Sequence, residues 1–128
     1  MCMIDDAEPA TVYHTRVIAH ARVPHKCEEC SRQIEAGERY HSATMLCDGF
    51  WSTFNTCVHC MQAQAWLNSQ CGGYLHGGVQ LDLEGHLDEL VFAPGERVGL
   101  LRLIAGMRRQ WRSFKDPSRL LTPRLAFA

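Results

Sequence analysis

The spacing of apolar residues changes several times along this chain, and each change marks an element. Residues 11–23 read Thr-Val-Tyr-His-Thr-Arg-Val-Ile-Ala-His-Ala-Arg-Val, β-branched and free of Gly and Pro, which predicts a strand ended by Pro24. Residues 40–47 and 50–56 flank Asp48-Gly49, a two-residue hairpin signal. That register sets 47 against 50, 45 against 52 and 43 against 54. Ala43, Met45, Cys47, Phe50 and Phe54 then share one face, the one expected in the core. Tyr40, Ser42, Thr44, Leu46 and Trp51 share the other.

Helical spacing follows. A helix is predicted over 57–70, capped by Thr56 or Asn55, with Met61, Ala65 and Trp66 inward and Gly72-Gly73 as its stop. A glycine-rich loop fills 71–78. Leu81, Leu83, Leu87, Leu90 and Val91 then alternate with Asp82, Glu84, Asp88 and Glu89, an acidic amphipathic helix broken by Pro94-Gly95. The last helix, 96–115, places Leu100, Ile104, Met107, Trp111 and Phe114 on one stripe. Arg102, Arg108, Arg109, Arg112 and Lys115 occupy its other faces. The reading is an α+β chain in three parts: a compact unit at 11–78, a helical region at 79–116, and a flexible tail at 117–128.

Composition narrows this picture. At 128 residues and 46% hydrophobic, the chain is expected to be one domain, or a small domain with an appendage. No stretch nears the roughly 20 apolar residues of a membrane span. The opening residues lack a basic segment followed by a long apolar run, so no secretory signal is expected. The net charge of −1 hides an asymmetry: residues 1–95 carry 5 Lys/Arg and 12 Asp/Glu, residues 96–128 carry 8 and 2. The basic end would either neutralise the acidic part within the fold or meet an anionic partner.

The chemistry is concentrated in cysteine. Cys27-Glu28-Glu29-Cys30 and Cys57-Val58-His59-Cys60 are two C-x-x-C hooks with 26 residues between them, a complete tetrahedral set for one structural zinc ion. A metal saturated by four thiolates has no open position for water or substrate, so it is expected to staple the fold and not to catalyse. Cys2, Cys47 and Cys71 are left over, which suits a reducing cytoplasm better than a disulfide framework. Cys47 reads as a small core residue, and Cys71 as packing under the zinc site. His25, His41 and His59 could each replace a ligand or hydrogen-bond to sulfur, but ordinary solvated histidines are the favoured reading. The adjacent carboxylates Glu28/Glu29 and Asp88/Glu89 read as solvated charge. No G-x-S-x-G, H-E-x-x-H or P-loop occurs.

Knuckle, hairpin, then a helix carrying the second cysteine pair is the order of a treble-clef zinc finger, which residues 24–71 resemble. More narrowly, Ala21-Arg22-Val23-Pro24-His25-Lys26-Cys27-Glu28-Glu29-Cys30, Ile34-Glu35-Ala36-Gly37-Glu38-Arg39-Tyr40, the Trp51/Phe54 hairpin and Cys71-Gly72-Gly73-Tyr74 resemble small zinc-finger proteins of bacteriophages and prophages. That resemblance implies a phage origin and action on a host macromolecule. Treble clefs also occur in HNH-type nucleases, but this hairpin and helix lack the paired metal-binding histidines, His59 standing alone.

The expected function is therefore a non-enzymatic, zinc-stabilised interaction protein, for example an inhibitor of a bacterial defence or regulatory protein. Its docking residues would be Arg108, Arg109, Trp111, Arg112, Phe114 and Lys115 on the last helix, which could meet a host protein or a second copy of the chain. The alternative is a nucleic-acid-binding module that uses the same basic helix on phosphates.

Overall fold

The computed structural model describes residues 2–90 and 93–111. Three strands form an antiparallel sheet in the order β1 (Val12–Ile18), β4 (Tyr40–Cys47), β5 (Phe50–Cys57). A two-stranded ribbon, β2 (His25–Lys26) and β3 (Gln33–Ile34), stands apart. The helices are α1 (Val58–Cys71), α2 (Val79–Gly85) and α3 (Pro94–Arg108), with 3-10 turns at Met3–Asp6 and Asp88–Leu90.

The hairpin forms in the expected register, Cys47 opposite Phe50 and Ala43 opposite Phe54. Asp48 at φ 50° and Gly49 at φ 80° supply the two positive dihedrals that let a two-residue turn match strand twist. Only the base of its apolar face is buried, however. Ala43 is fully buried, Met45, Cys47 and Phe54 are half-buried, and Phe50 is 75% exposed. The hairpin outruns the helices that could cover it. Cys47 is thus a half-buried free thiol and not a core residue.

β1 ends at Ile18, short of the expected Val23. Beyond it the backbone leaves the sheet: the Ala21 amide donates to the Glu38 carbonyl and the Gly37 amide to the Ala21 carbonyl, at 2.8 Å each. α1 starts at Val58 with Cys57 in the capping position and no side-chain cap, so neither Thr56 nor Asn55 plays that part. Gly72, at φ 75°, closes the helix where the sequence placed its stop.

The acidic helix differs from expectation. It stops at Gly85 and gives way to a 3-10 turn, and its phase is shifted, with Leu81 65% exposed and Asp82 buried. Val91 lies outside the described residues. In α3 the stripe Leu100, Ile104 and Met107 is buried as expected, joined by Leu103. The helix ends at Arg108, and residues 112–115 and the tail at 117–128 lie outside the described residues. One apolar cluster joins Cys27, Cys30, Ile34, Cys57, Cys60, Trp66, Leu67, Val79, Leu83, Leu100, Leu103 and Met107, so the core runs across the division drawn at 78/79. No helix among the described residues is long and apolar enough to cross a membrane.

Candidate metal centre

The first hook sits in a tight knuckle between β2 and β3. The Cys27 amide donates to the Arg32 carbonyl at 2.8 Å and the Ser31 amide to the Cys27 carbonyl at 2.9 Å, with Ser31 at φ 66°. The second hook spans the junction of β5 and α1. Hairpin and helix therefore bring Cys57 and Cys60 to the knuckle, and all four cysteines are buried.

Their sulfurs lie within 4.8 Å of one another, and Cys30 and Cys57 are 3.9 Å apart. A tetrahedral zinc with Zn–S near 2.3 Å needs sulfurs about 3.8 Å apart. None of the four is in a disulfide. The residues fit one structural zinc ion, held by Cys27, Cys30, Cys57 and Cys60, with no corner left for a reacting molecule.

Four thiols so close cannot ionise independently. Hydrogen bonds from Cys30, Cys57 and Cys60 hold the Cys27 thiol far below its ordinary range, and the same contact with Cys27 pushes Cys30 and Cys60 up. A zinc ion would take the place of those protons.

Two groups donate to sulfur. The Cys57 amide reaches Cys27 Sγ at 3.4 Å, and the Trp111 indole N–H reaches Cys60 Sγ at 3.4 Å. A cation stands close as well. Burial opposes the charge of Arg32, but the Glu38 carboxylate, 2.8 Å away, and the Cys57 sulfur more than offset that and raise its pKa. Each of these favours a buried centre whose four thiolates outweigh the metal's charge.

Trp111 reaches the sulfur because the chain reverses after α3. Gln110 and Trp111 take φ 54° and 51°, and the Trp111 amide donates to the Gly106 carbonyl at 2.7 Å. The indole lies on bare Gly106, where an added Cβ would fall 2.3 Å from the ring. Its other neighbour is His59, stacked at 5.1 Å between centroids. Trp111 is only 3% exposed, so the expectation that it anchors a partner is corrected: it belongs to the metal site.

Of the other expected docking residues, Arg108 is exposed and ion-paired to Glu84 at 2.6 Å, and Arg109 is exposed. Arg112, Phe114 and Lys115 lie outside the described residues. The histidines also differ from expectation. His59 is buried, His25 lies 3.3 Å from the Tyr40 hydroxyl, and burial lowers the pKa of half-buried His41.

Glu29 is not solvated charge either. Its carboxylate accepts from the Gly77 amide at 3.0 Å, the Val79 amide at 3.3 Å and the Gln64 side chain at 3.3 Å, tying the glycine loop to the knuckle. Burial still raises its pKa. Cys71, expected under the zinc site, instead forms a disulfide with Cys2, which corrects the reading of both as free thiols. No local pattern pointed to Glu29, Gly106 or this pairing. For Trp111, membership of the apolar stripe was the one available signal.

Compared with protein-family models, with curated proteins and with solved structures, the chain gives no match.

Proposed function

We propose that the chain is a non-enzymatic interaction protein of treble-clef type, of phage origin, that binds a host protein through the tip of its β4–β5 hairpin. One observation carries this reading. Phe50 is 75% exposed and Trp51 63% exposed, neighbours on a strand whose other end is the zinc ligand Cys57. Large aromatic side chains held in water by a rigid support are the usual anchors of protein recognition. Below the tip, on the face that carries Phe50, a groove of about 860 Å³ is lined by Tyr13, Met45, Cys47, Phe54 and Tyr74. The knuckle, hairpin and helix order supports the treble-clef assignment, and the resemblance of the cysteine and hairpin runs supports the phage origin. The closed sulfur shell supports a binding role over a catalytic one.

The nucleic-acid reading draws less support, because Arg108 of the basic helix is engaged by Glu84. The two readings separate in one experiment: capture from a bacterial lysate with the full chain and with the double variant Phe50→Ser/Trp51→Ser. A protein retained through nuclease treatment and raised salt, and lost with the variant, is the expected result. Capture that vanishes with nuclease or falls steeply with salt would transfer the function to nucleic acid.

A further inference from the structure

We propose that Cys2, Cys71 and His86 form a second zinc site when the Cys2–Cys71 disulfide is reduced, with Glu89 at its fourth corner. His86 Nε2 lies 3.4 Å from Cys71 Sγ and 3.6 Å from Cys2 Sγ. A zinc ion with Zn–S near 2.3 Å and Zn–N near 2.0–2.1 Å sets its nitrogen and sulfur ligands about 3.6 Å apart. His86 is already in the required tautomer. Its Nδ1–H donates to the Asp82 carbonyl at 2.7 Å, which leaves the lone pair of Nε2 aimed at the two sulfurs. The ring is only 4% exposed and is held edge-on by Trp66.

A second, independent feature points the same way. Asp82 is 2% exposed, and neither of its carboxylate oxygens accepts a hydrogen bond. Oδ1 lies 3.4 Å from His86 Nδ1. A buried carboxylate without donors is costly unless a positive charge stands near. A zinc ion on Nε2 draws electron density through the imidazole and turns its Nδ1 edge cationic, which supplies that charge. Glu89 Oε2 lies 3.8 Å from Nε2 on an exposed side chain, and a rotation of that side chain toward the sulfurs would bring it to the fourth corner.

The redox step balances simply. Two thiols, or one phosphine with one water, supply two electrons and two protons: the S–S bond breaks, each sulfur takes up a proton, and the reductant leaves as a disulfide or, with the water's oxygen, as a phosphine oxide. Zinc then displaces both protons as the sulfurs part to about 3.8 Å.

The test is elemental analysis of the full chain purified with zinc and a phosphine reductant under anaerobic conditions, then dialysed. Two zinc ions per chain are expected, falling to one in the untreated disulfide form and in H86A, C71S and C2S. One zinc per chain in fully reduced wild-type protein would overturn the proposal, and this measurement stands even if a variant fails to fold. Cobalt(II) in place of zinc adds a spectroscopic check. The thiolate-to-cobalt absorption of the reduced chain should lose one component in C2S and keep the four-thiolate component; identical spectra for the two proteins would count against the site. Glu89→Gln should weaken the second ion at least about tenfold; unchanged affinity would remove Glu89 from the ligand set.

Discussion

The indole N–H of Trp111 and the sulfur of Cys60 meet at 3.4 Å, although 51 positions separate them in the chain. The contact joins the end of the last helix to the metal cluster and gives a buried thiolate a donor. Trp111→Phe should keep the ring on Gly106 and His59 while deleting the donor. The expected cost is about 1–3 kcal/mol in thermal or denaturant unfolding. Zinc should also pass faster to a chromogenic chelator, since a thiolate without its donor is more reactive. Equal transfer rates would mean that the indole serves packing alone.

Gly106→Ala carries a sign that helix propensity gets wrong. Alanine in a helix interior ordinarily stabilises by about 1 kcal/mol over glycine. Here the added Cβ falls 2.3 Å from the Trp111 ring, which must move. Destabilisation of about 1–3 kcal/mol is expected, with a red shift in tryptophan emission as the ring leaves its seat. A stabilised variant would refute the close approach.

Removal of the metal should be drastic. Cys27 and Cys57 are fully buried and belong to the main apolar cluster, so the metal and the core form one unit. Structural zinc contributes on the order of 10 kcal/mol in small zinc domains at neutral pH. Cys27→Ser, or a strong chelator, is expected to abolish the cooperative melt seen by circular dichroism. An unchanged melting curve would show that the staple is dispensable.

His76 offers a pH prediction. Burial first, then the neighbouring His41, lowers its pKa from 6.5 to about 4. It stacks on Phe54 at 5.0 Å, and its Nε2 lies 2.7 Å from the Tyr13 hydroxyl. Its folded pKa lies below its unfolded one, so the unfolded chain binds the extra proton between pH 6.5 and about 4. The stability contributed by neutral His76 is therefore full above pH 6.5 and is lost as pH falls toward 4. An NMR titration of the ring proton should show a midpoint near 4, and a midpoint above 6 would contradict the half-buried placement against Phe54 and Tyr13.

Much of this was legible because local chemistry fixed it. Asp48-Gly49 determines the hairpin register, Gly72 the end of α1, and the two C-x-x-C hooks the metal. What could not be read depends on contacts distant in sequence. The phase of α2 went astray because Asp82 is buried against His86, a polar pairing that an apolar pattern does not register. The apolar stripe marked Trp111 as a residue to be covered, but its cover, the Cys60 sulfur and Gly106, depends on a turn after Arg108 that helical periodicity does not show. The left-handed turn at Gln110 and Trp111, in non-glycine residues, leaves no signature in composition. The Cys2–Cys71 pairing spans 69 residues and depends on where the first residues lie on the folded core.

Glu29 holds the loop before α2, and Trp111 holds the far end of α3, each from within or against the sulfur cluster. A gene fragment stopping at Gly78 would keep the four cysteines of the main cluster yet strip Leu83, Leu100, Leu103 and Met107 from the hydrophobic interior, so an excised piece must reach at least Trp111 to stay soluble.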